Sequence, residues 1–179
     1  MNKSVLRPCV FFDRDGIVNE PPSPKDRYVR KWADFQLWPA FIDAMRVVRD
    51  KGYQAVIITN QSGVGRGHMK QADLDEIHDN LLAALKAKGV ELLDIFVCTD
   101  VEDSSPRRKP NPGMLLEAAC EHQLDLSKSW MVGDQERDIE AGQRAGCRTV
   151  YVGSLKPTCK ADYLVPTMNE LPAFLVKHL

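Results

Sequence analysis

The sequence has no apolar run near the roughly 18 residues that span a bilayer, and neither sign of charge is in excess. Its 24 lysines and arginines oppose 25 aspartates and glutamates, which gives a formal net charge of -1. A near-neutral chain gives no reason to expect a nucleic acid or an anionic membrane as its main partner. Residues 1–8 are polar and contain no apolar signal-peptide segment, so we expect a cytoplasmic protein.

Cysteine and histidine are too few and too scattered to suggest a disulfide framework or a metal-ligand cluster. The five cysteines contain no C-x-x-C pair, which favours free thiols in a reducing compartment. The four histidines, His68, His78, His122 and His178, lie far apart in the sequence. We expect them in loops or on helix surfaces.

What the sequence does contain is an ordinary globular composition and a regular alternation of strand and helix patterns. At 179 residues, 44% hydrophobic and 27% charged, it is most simply one domain covering 1–179. Apolar runs predict strands over 8–12, 53–59, 92–98, 129–133, 148–152 and a short 163–165. Helical spacing predicts helices over 40–50, 71–88, 136–145 and 169–178, and another that runs from an Asn111-Pro112 cap and first-turn proline to His122.

This alternation predicts a doubly wound α/β fold with a mostly parallel sheet. Pro21, Pro22 and Pro24 prevent regular structure after the first strand. We therefore expect residues 16–38 to form a short flap, with Trp32 packing against the body, and we expect no large cap domain.

Two aspartates follow the first predicted strand. Asp13 and Asp15 come directly after an apolar run, and in an extended chain residues i and i+2 point to the same side. Open α/β sheets bind ligands at the carboxyl ends of their strands. Because a buried acid pair is costly unless it binds a cation or divides acid and base roles, we predict an active site here.

Three more polar clusters follow predicted strands. The segment 59–67 (TNQSGVGRG) supplies a hydroxyl, amides, glycine-exposed backbone N–H groups and Arg66, all of which suit a phosphate. Arg108 and Lys109 lie in a cationic run ahead of a helix, and Asp134 and Asp138 form another acid pair at a strand end.

Each of these clusters alone has an ordinary structural interpretation. Thr59 and Asn60 could form a turn or a cap, the cationic run 107–109 could be a solvated surface, and Asp134 and Asp138 could be an N-cap and a helix-face charge. Together, however, the four motifs supply acids for a cation, donors for an anion and a lysine that neutralises charge. The combination favours one phosphate site.

The motifs FDRDG, TNQSGVGRG, RKPNPGM and GDQERD occur in this order, and with them the chain resembles haloacid-dehalogenase-like (HAD) phosphatases over nearly its whole length. It is most similar to the subgroup of D-glycero-D-manno-heptose 1,7-bisphosphate 7-phosphatase and histidinol-phosphate phosphatase. TNQSGVGRG and KPNPGM favour the heptose enzyme, whereas the segment 19–23 (NEPPS) is closer to the histidinol-phosphate enzyme. The resemblance implies a phosphatase of a small phosphorylated metabolite, with heptose bisphosphate as the leading substrate and histidinol phosphate as the alternative.

The resemblance also implies a covalent mechanism. Asp13 would attack phosphorus to form an aspartyl-phosphate intermediate. Asp15 would protonate the leaving alkoxide and then activate water. Asp13, the backbone carbonyl of Asp15, and Asp134 would hold Mg2+.

The remaining motif residues are expected to bind the substrate. Thr59 and Lys109 would contact the transferring phosphoryl group, and Asp138 would support Lys109 or the metal site. The residues expected to bind other parts of the substrate are Asn60, Gln61, Ser62, Arg66 and Arg108.

One departure from the subgroup concerns a structural metal. Many members carry zinc in the loop before R-K-P, held by a C-x-H and a C-x-C pair. In this sequence Cys98 retains only the first cysteine, and Ser105-Pro106-Arg107 replaces the second pair. Because a structural zinc needs four closed ligands, we predict none, and we expect the shortened loop 98–108 to affect substrate specificity.

Interpretations from other classes stay open at this point. A receiver-like phospho-acceptor domain also uses acids, a threonine, a lysine and Mg2+, but its phosphorylated aspartate ends the third strand rather than the first. An inactive binding module is disfavoured because the acids and the lysine of the HAD motifs are all present. For a chain of this size we expect a monomer.

Overall fold

A computed structural model describes residues 6–154, 158 and 160–179. Six strands form one sheet, in which every neighbouring pair is parallel and the order is β3-β2-β1-β4-β5-β6. The strands are β1 (Cys9–Phe12), β2 (Gln54–Asn60), β3 (Asp94–Cys98), β4 (Trp130–Gly133), β5 (Arg148–Val152) and β6 (Tyr163–Val165). The prediction of a doubly wound parallel sheet is confirmed.

Within the described ranges, six α-helices flank the sheet. They are α1 (Pro39–Asp50), α2 (Ser62–Gly65), α3 (Gln71–Ala87), α4 (Gly113–His122), α5 (Glu136–Ala145) and α6 (Leu171–His178), with single 3-10 turns at Trp32–Asp34, Leu126–Lys128 and Met168–Glu170. None of the helices in the described ranges is long and apolar enough to cross a membrane.

The alternation of side chains along β1 divides the interior into two cores. Val10 and Phe12 pack in the core that includes residues of α1, α3 and α6, and the Phe12 ring meets the Phe41 ring edge-on at 5.2 Å. Cys9 and Phe11 point to the opposite face, where α4 and α5 cover the sheet. Because the strand is buried on both faces, it needs the continuous apolar run seen in the sequence.

The predicted starts of two helices were wrong near prolines, and two further boundaries, at Pro39 and Ala87, differ from the prediction by one residue. Pro112 is the N-cap of α4 and not its first helical residue, so the helix begins at Gly113. The last helix is interrupted, because a 3-10 turn at Met168–Glu170 precedes an α-helix that begins only at Leu171. Pro172 has no N–H to donate, and it is therefore accommodated in the first turn of α6 rather than in a helix interior.

The flap is anchored at its base by two backbone hydrogen bonds between residues 18–20 and residues 36–38. The backbone N–H of Trp38 donates to the carbonyl of Val18 at 3.0 Å, and that of Glu20 donates to Gln36 at 2.8 Å. Phe35 is buried, and its ring stacks on Trp32 at 5.0 Å. Trp32 packs partly buried against the core, as predicted, and Trp38 does the same. The described residues contain no large cap domain.

The strand order indicates where on the sheet a ligand would bind. The chain runs from β1 outward to β3, then returns to β4 beside β1 and continues outward to β6. The carboxyl ends of β1 and β4 therefore form the switch point at which open α/β sheets bind ligands. Receiver domains of the CheY type have the order 2-1-3-4-5, so this sheet is not that of a receiver.

Candidate active site

Asp13 and Asp134 follow the two strands that meet at the switch point. Phe12 pairs with Val132, and the backbone N–H of Asp13 donates to the carbonyl of Val132 at 2.9 Å. One carboxylate oxygen each from Asp13, Asp134 and Asp138 lies within 4.8 Å of the others. Segments more than a hundred residues apart thus deliver three acids to one point.

Lys109 lies between two of these acids. Its Nζ is 2.8 Å from Asp13 Oδ1 and 2.7 Å from Asp138 Oδ1, and it donates to the carbonyl of Ile58 at 2.9 Å. The side chain of Lys109 is 1% exposed and that of Asp138 is fully buried. Asp138 Oδ2 also accepts from the N–H of Gln135 at 3.0 Å. Asp138 therefore caps the N-terminus of α5 with one oxygen while its other oxygen faces Lys109.

The crowding of acids raises two pKa values. Burial and the charge of Asp138 raise the pKa of Asp13 to about 6, although Lys109 works in the opposite direction. Burial and the charges of Asp13 and Asp138 raise the pKa of Asp134 to about 7. Lys109, despite its burial, has a raised pKa because Asp13 and Asp138 face it. One lysine therefore offsets only part of the negative charge.

The donor set fits a hard divalent cation. Asp134 Oδ1 is buried without a hydrogen-bond partner. Gly16 has a φ of +95°, and a Cβ built on it would lie 2.2 Å from Asp134 Oδ2, so glycine is needed where the chain passes this carboxylate. Carboxylate oxygens with room for waters are the environment that Mg2+ takes up. Asp13 and Asp134 are the side chains that would hold it, since Asp138 Oδ1 forms an ion pair with Lys109 and Oδ2 accepts a hydrogen bond from Gln135.

Because the carboxylates of the site are crowded, we expect the stability of the folded protein to depend on pH and on bound metal. Between the ordinary carboxyl pKa of 3.8 and the raised value of about 7 at Asp134, the folded state holds protons that the unfolded state has lost. Stability should therefore fall as pH rises through this window. We expect the Tm, measured with a chelator present, to be lower at pH 8 than at pH 5.5, and saturating Mg2+ to raise it more at pH 8.

Asp134→Asn provides the matched control for that measurement. The variant removes the carboxylate with the larger shift, so its Tm should depend less on pH and respond less to Mg2+. Equal Mg2+ stabilisation of both proteins at both pH values would contradict the assignment of Asp134 to the cation site.

Asp15 is held by three neighbours. Arg14 donates from Nε to Asp15 Oδ1 at 3.1 Å and from Nη2 to both Asp15 oxygens at 2.9 and 3.0 Å. Asn19 Nδ2 donates to Oδ1 and Gln61 Nε2 to Oδ2, each at 3.0 Å. Burial works to raise the pKa of Asp15, but the charge of Arg14 and these hydrogen bonds together hold it below its ordinary value.

The last two residues of β2 contribute their side chains in different ways. Asn60 exchanges hydrogen bonds with the backbone of Lys109, donating to its carbonyl at 3.0 Å and accepting from its N–H at 3.1 Å. This pair fixes Lys109 in register with β2. Thr59 is buried, and its hydroxyl accepts from Gln61 Nε2 at 2.9 Å. Gln61 thus joins the predicted phosphoryl-binding threonine to Asp15.

The loop predicted to lack zinc is held by polar contacts of its own. Arg108 donates from Nε to Asp103 Oδ1 at 3.0 Å and from Nη1 to the carbonyl of Asp100 at 3.1 Å. Asn111 donates to the carbonyls of Asp103 and Ser105 at 3.0 and 2.8 Å. These contacts tie the two ends of the loop together. The absence of zinc stays a prediction.

An open cavity of about 540 Å³ lies over these residues. The predicted site residues that line it are Asp13, Asp15, Asn60, Gln61, Ser62, Arg66, Arg108, Lys109 and Asp134. Thr59 and Asp138 are not in its wall, since they lie behind Gln61 and Lys109. The structure therefore brings together every predicted site residue, either in the wall or directly behind it.

 Of the eleven predicted residues, nine line the wall and the other two support it from behind.

Sequence reasoning missed a group of cationic and aromatic residues in the same wall. Arg27 and Tyr28 reach the cavity from the flap, His68 from the segment after α2, and Arg137 from the first turn of α5. His68 stacks on Tyr28 with ring centroids 5.5 Å apart. Arg137 lies inside the GDQERD motif, so its position one residue before Asp138 could have indicated it. Nothing in the sequence places the flap residues over the site.

The histidine prediction was also incomplete. His78 lies on α3, but it faces inward, and its Nε2 is 3.3 Å from Arg14 Nη1. A histidine on an amphipathic helix gives no sign of such a contact when the partner is 64 residues away. The four described cysteines are free, as predicted, and Cys159 lies outside the described residues.

Comparisons with known proteins agree with this geometry. Residues 106–177 match a family model described as HAD-hydrolase-like. The chain is 38% identical over 170 residues to the D-glycero-alpha-D-manno-heptose-1,7-bisphosphate 7-phosphatase of Photorhabdus laumondii. That alignment covers 90% of this chain and 88% of the relative. It is 33% identical over 191 residues to the D-glycero-beta-D-manno-heptose-1,7-bisphosphate 7-phosphatase of Escherichia coli K12, in an alignment that covers 99% of this chain and 97% of the relative.

Solved structures give the same result. The D,D-heptose 1,7-bisphosphate phosphatase of B. bronchiseptica, complexed with magnesium and phosphate, superposes with a TM-score of 0.83 at 28% identity, and the match covers 96% of this chain and 99% of that one. The relatives are phosphatases that this chain matches over nearly its whole length, and the acids and lysine of the four motifs converge at its switch point. The chain therefore belongs to the HAD-like phosphatases, in the subgroup that contains the heptose-1,7-bisphosphate 7-phosphatases.

Proposed function

We propose that this phosphatase is Mg2+-dependent, works through an aspartyl-phosphate on Asp13, and hydrolyses the 7-phosphate of D-glycero-D-manno-heptose 1,7-bisphosphate. The observation that carries the proposal is the position of Asp13, whose Oδ1 contacts Lys109 while Oδ2 has no hydrogen-bond partner in the described part of the chain. A carboxylate in this state is restrained by one oxygen and available through the other. It is therefore suited to nucleophilic attack.

In the first step, an oxygen of Asp13 forms a bond to phosphorus as the bond to the leaving alkoxide breaks. Lys109 holds the nucleophile through Oδ1 and places a positive charge beside the incoming phosphoryl group. Mg2+, when bound by Asp13 and Asp134, would supply further positive charge for the phosphoryl oxygens. Asp138 keeps Lys109 charged and in place, because it faces the same Nζ at 2.7 Å.

Asp15 carries the proton in both steps. As a carboxylic acid it gives its proton to the leaving oxygen, and as a carboxylate it accepts one from the water that attacks the aspartyl-phosphate. In the structure the hydrogen bonds from Arg14, Asn19 and Gln61 favour the carboxylate. This is the form required for the second step.

The choice of a bisphosphate rests on charge in the cavity wall. Arg27, Arg66 and Arg137 line the cavity, and none of their guanidinium groups has a hydrogen-bond or ion-pair partner within the ranges that the structure describes. Arg108 also lines it, with Nη2 left unbonded by the described residues. Free guanidinium groups around a phosphate site suit a substrate with a second anionic group.

The histidinol-phosphate alternative has less support. Histidinol phosphate carries an ammonium group, which unpaired arginines in the wall would repel. The segment that resembled the histidinol-phosphate enzyme contributes Asn19, but this side chain is buried and turned toward Asp15 and the carbonyl of Glu20. Asn19 therefore supports the proton-transfer group, whereas Pro21 and Pro22 of the same segment line the cavity without offering an ammonium group a charged partner.

Parallel phosphate-release assays test the proposed substrate. With Mg2+ present, we expect a kcat/KM for heptose 1,7-bisphosphate at least about 10-fold above that for histidinol phosphate, as one charge-assisted contact can supply such a factor. Comparable and poor turnover of both compounds would refute the substrate assignment while leaving the phosphatase activity intact.

Arginine variants test the second anion site. Replacing Arg66 and Arg137 together by glutamine should raise the KM for the bisphosphate by about 10-fold or more, since each charged hydrogen bond contributes about 1.5–3 kcal/mol. Activity on p-nitrophenyl phosphate, which has no second phosphate, should change little. Arg46→Gln is the matched control, because Arg46 pairs with Asp43 on the exposed face of α1. Equal losses on both substrates would contradict this role.

A further inference from the structure

Arg14 is a fully buried cation that lies between Asp15 and His78 of helix α3. On one side it binds both oxygens of Asp15, and on the other its Nη1 is 3.3 Å from His78 Nε2. The Phe35 ring of the flap lies 5.9 Å from the guanidinium carbon. A buried guanidinium has five N–H groups to satisfy, and His78 is the acceptor that the described residues provide for Nη1.

We propose that His78 is a positioning residue for proton transfer: it holds Arg14, and through Arg14 the carboxylate of Asp15. The inference rests on the proposed function, since it assigns Asp15 the proton given to the leaving group. His78 belongs to α3, whose Leu74, Ile77 and Leu81 are fully buried in the core. The acceptor is therefore fixed to a well-packed helix, and its contact with Nη1 holds the Arg14 guanidinium in one orientation.

The protonation state of His78 agrees with this role. Burial and the charge of Arg14 lower the pKa of His78 to about 4, against smaller opposing effects of Asp15 and Asp75. The ring is neutral at ordinary pH, and in the tautomer that carries its proton on Nδ1 the Nε2 atom has a free lone pair. A neutral ring can accept from Arg14, whereas a charged ring would repel it.

The proposed role has a specific kinetic consequence. When Asp15 is displaced, an alkyl phosphate loses the proton that its poor leaving group needs, whereas p-nitrophenolate departs with little assistance. The parameter kcat/KM reports the steps through departure of the leaving group. A positioning defect should therefore affect a sugar phosphate more than p-nitrophenyl phosphate, and a packing defect should affect both equally.

The experiment compares His78→Leu, which removes the acceptor, with His78→Gln, which retains one. We expect His78→Leu to lower kcat/KM about 10-fold or more for heptose bisphosphate, within the range of general acid catalysis, but less than about 3-fold for p-nitrophenyl phosphate. His78→Gln should stay within about 3-fold of the wild type on both substrates. Asn80→Ala is the control on the same helix, because among the described residues the Asn80 side chain hydrogen-bonds only to the backbone carbonyl of Glu76.

Thermal unfolding of each variant shows whether it is folded under assay conditions. A loss of equal size on both substrates, no loss at all, or a folded glutamine variant as impaired as the leucine variant would overturn the role of His78. These results leave the proposed function standing, because the wild type still turns over both compounds. Failure of the wild type to hydrolyse either substrate would instead overturn the proposed function and this inference with it.

Discussion

Replacing Asp13 by asparagine should lower phosphate release by at least about 10³-fold, the scale of loss expected when a nucleophile is removed. Asparagine keeps the shape of the side chain but cannot form the acyl phosphate. The folded state should not suffer, because the substitution removes one of the three crowded acids around Lys109. Steady-state assays and the Tm, measured on the same preparation, should separate these effects.

The covalent step can be observed independently of turnover. After rapid acid quenching, mass spectrometry of the wild type with substrate should show a phosphoryl adduct on Asp13, and the variant should show none. Asp43→Asn is the control, because Asp43 is an exposed aspartate paired with Arg46 on α1. Retained activity in Asp13→Asn, or an adduct on another residue, would refute the mechanism.

Replacing Lys109 by methionine should both abolish activity and destabilise the fold. The substitution leaves Asp13 and Asp138 buried without their cation, and breaking one side of a buried ion pair costs about 3–5 kcal/mol. The two carboxyls can escape part of this cost by taking up protons. The destabilisation should therefore be larger at pH 8 than at pH 5.5, as measured by urea unfolding.

A double variant separates charge from packing. Adding Asp138→Asn to Lys109→Met removes one of the stranded carboxylates, and neutral replacements of buried ion pairs are often well tolerated. We expect much of the lost stability to return while activity stays absent. If the double variant were no more stable than Lys109→Met, the destabilisation would arise from the shape of the lysine side chain and not from unpaired charge.

Much of the fold could be predicted because local patterns and long-range packing agree. The continuous apolar run of β2 requires burial on both faces, and glycines at φ of +78° and +72° follow the helices α1 and α3. Helix boundaries at Pro112 and Pro172 were less predictable. A proline is compatible with several positions near a helix start, and the surrounding packing selects among them.

The sequence by itself determined the chemical groups of the site, because three of the four motifs stand at the end of a strand and parallel strands bring their carboxyl ends to one edge. The fourth motif, which contains Lys109, follows β3 after the loop 98–108. Only the tertiary structure decided how those groups are paired. That Lys109 lies between Asp13 and Asp138, that Arg14 joins His78 to Asp15, and that Arg27 of the flap faces the cavity depends on side chains distant in sequence. Such contacts arise from the packing of helices and flap on the sheet, and no local spacing encodes them.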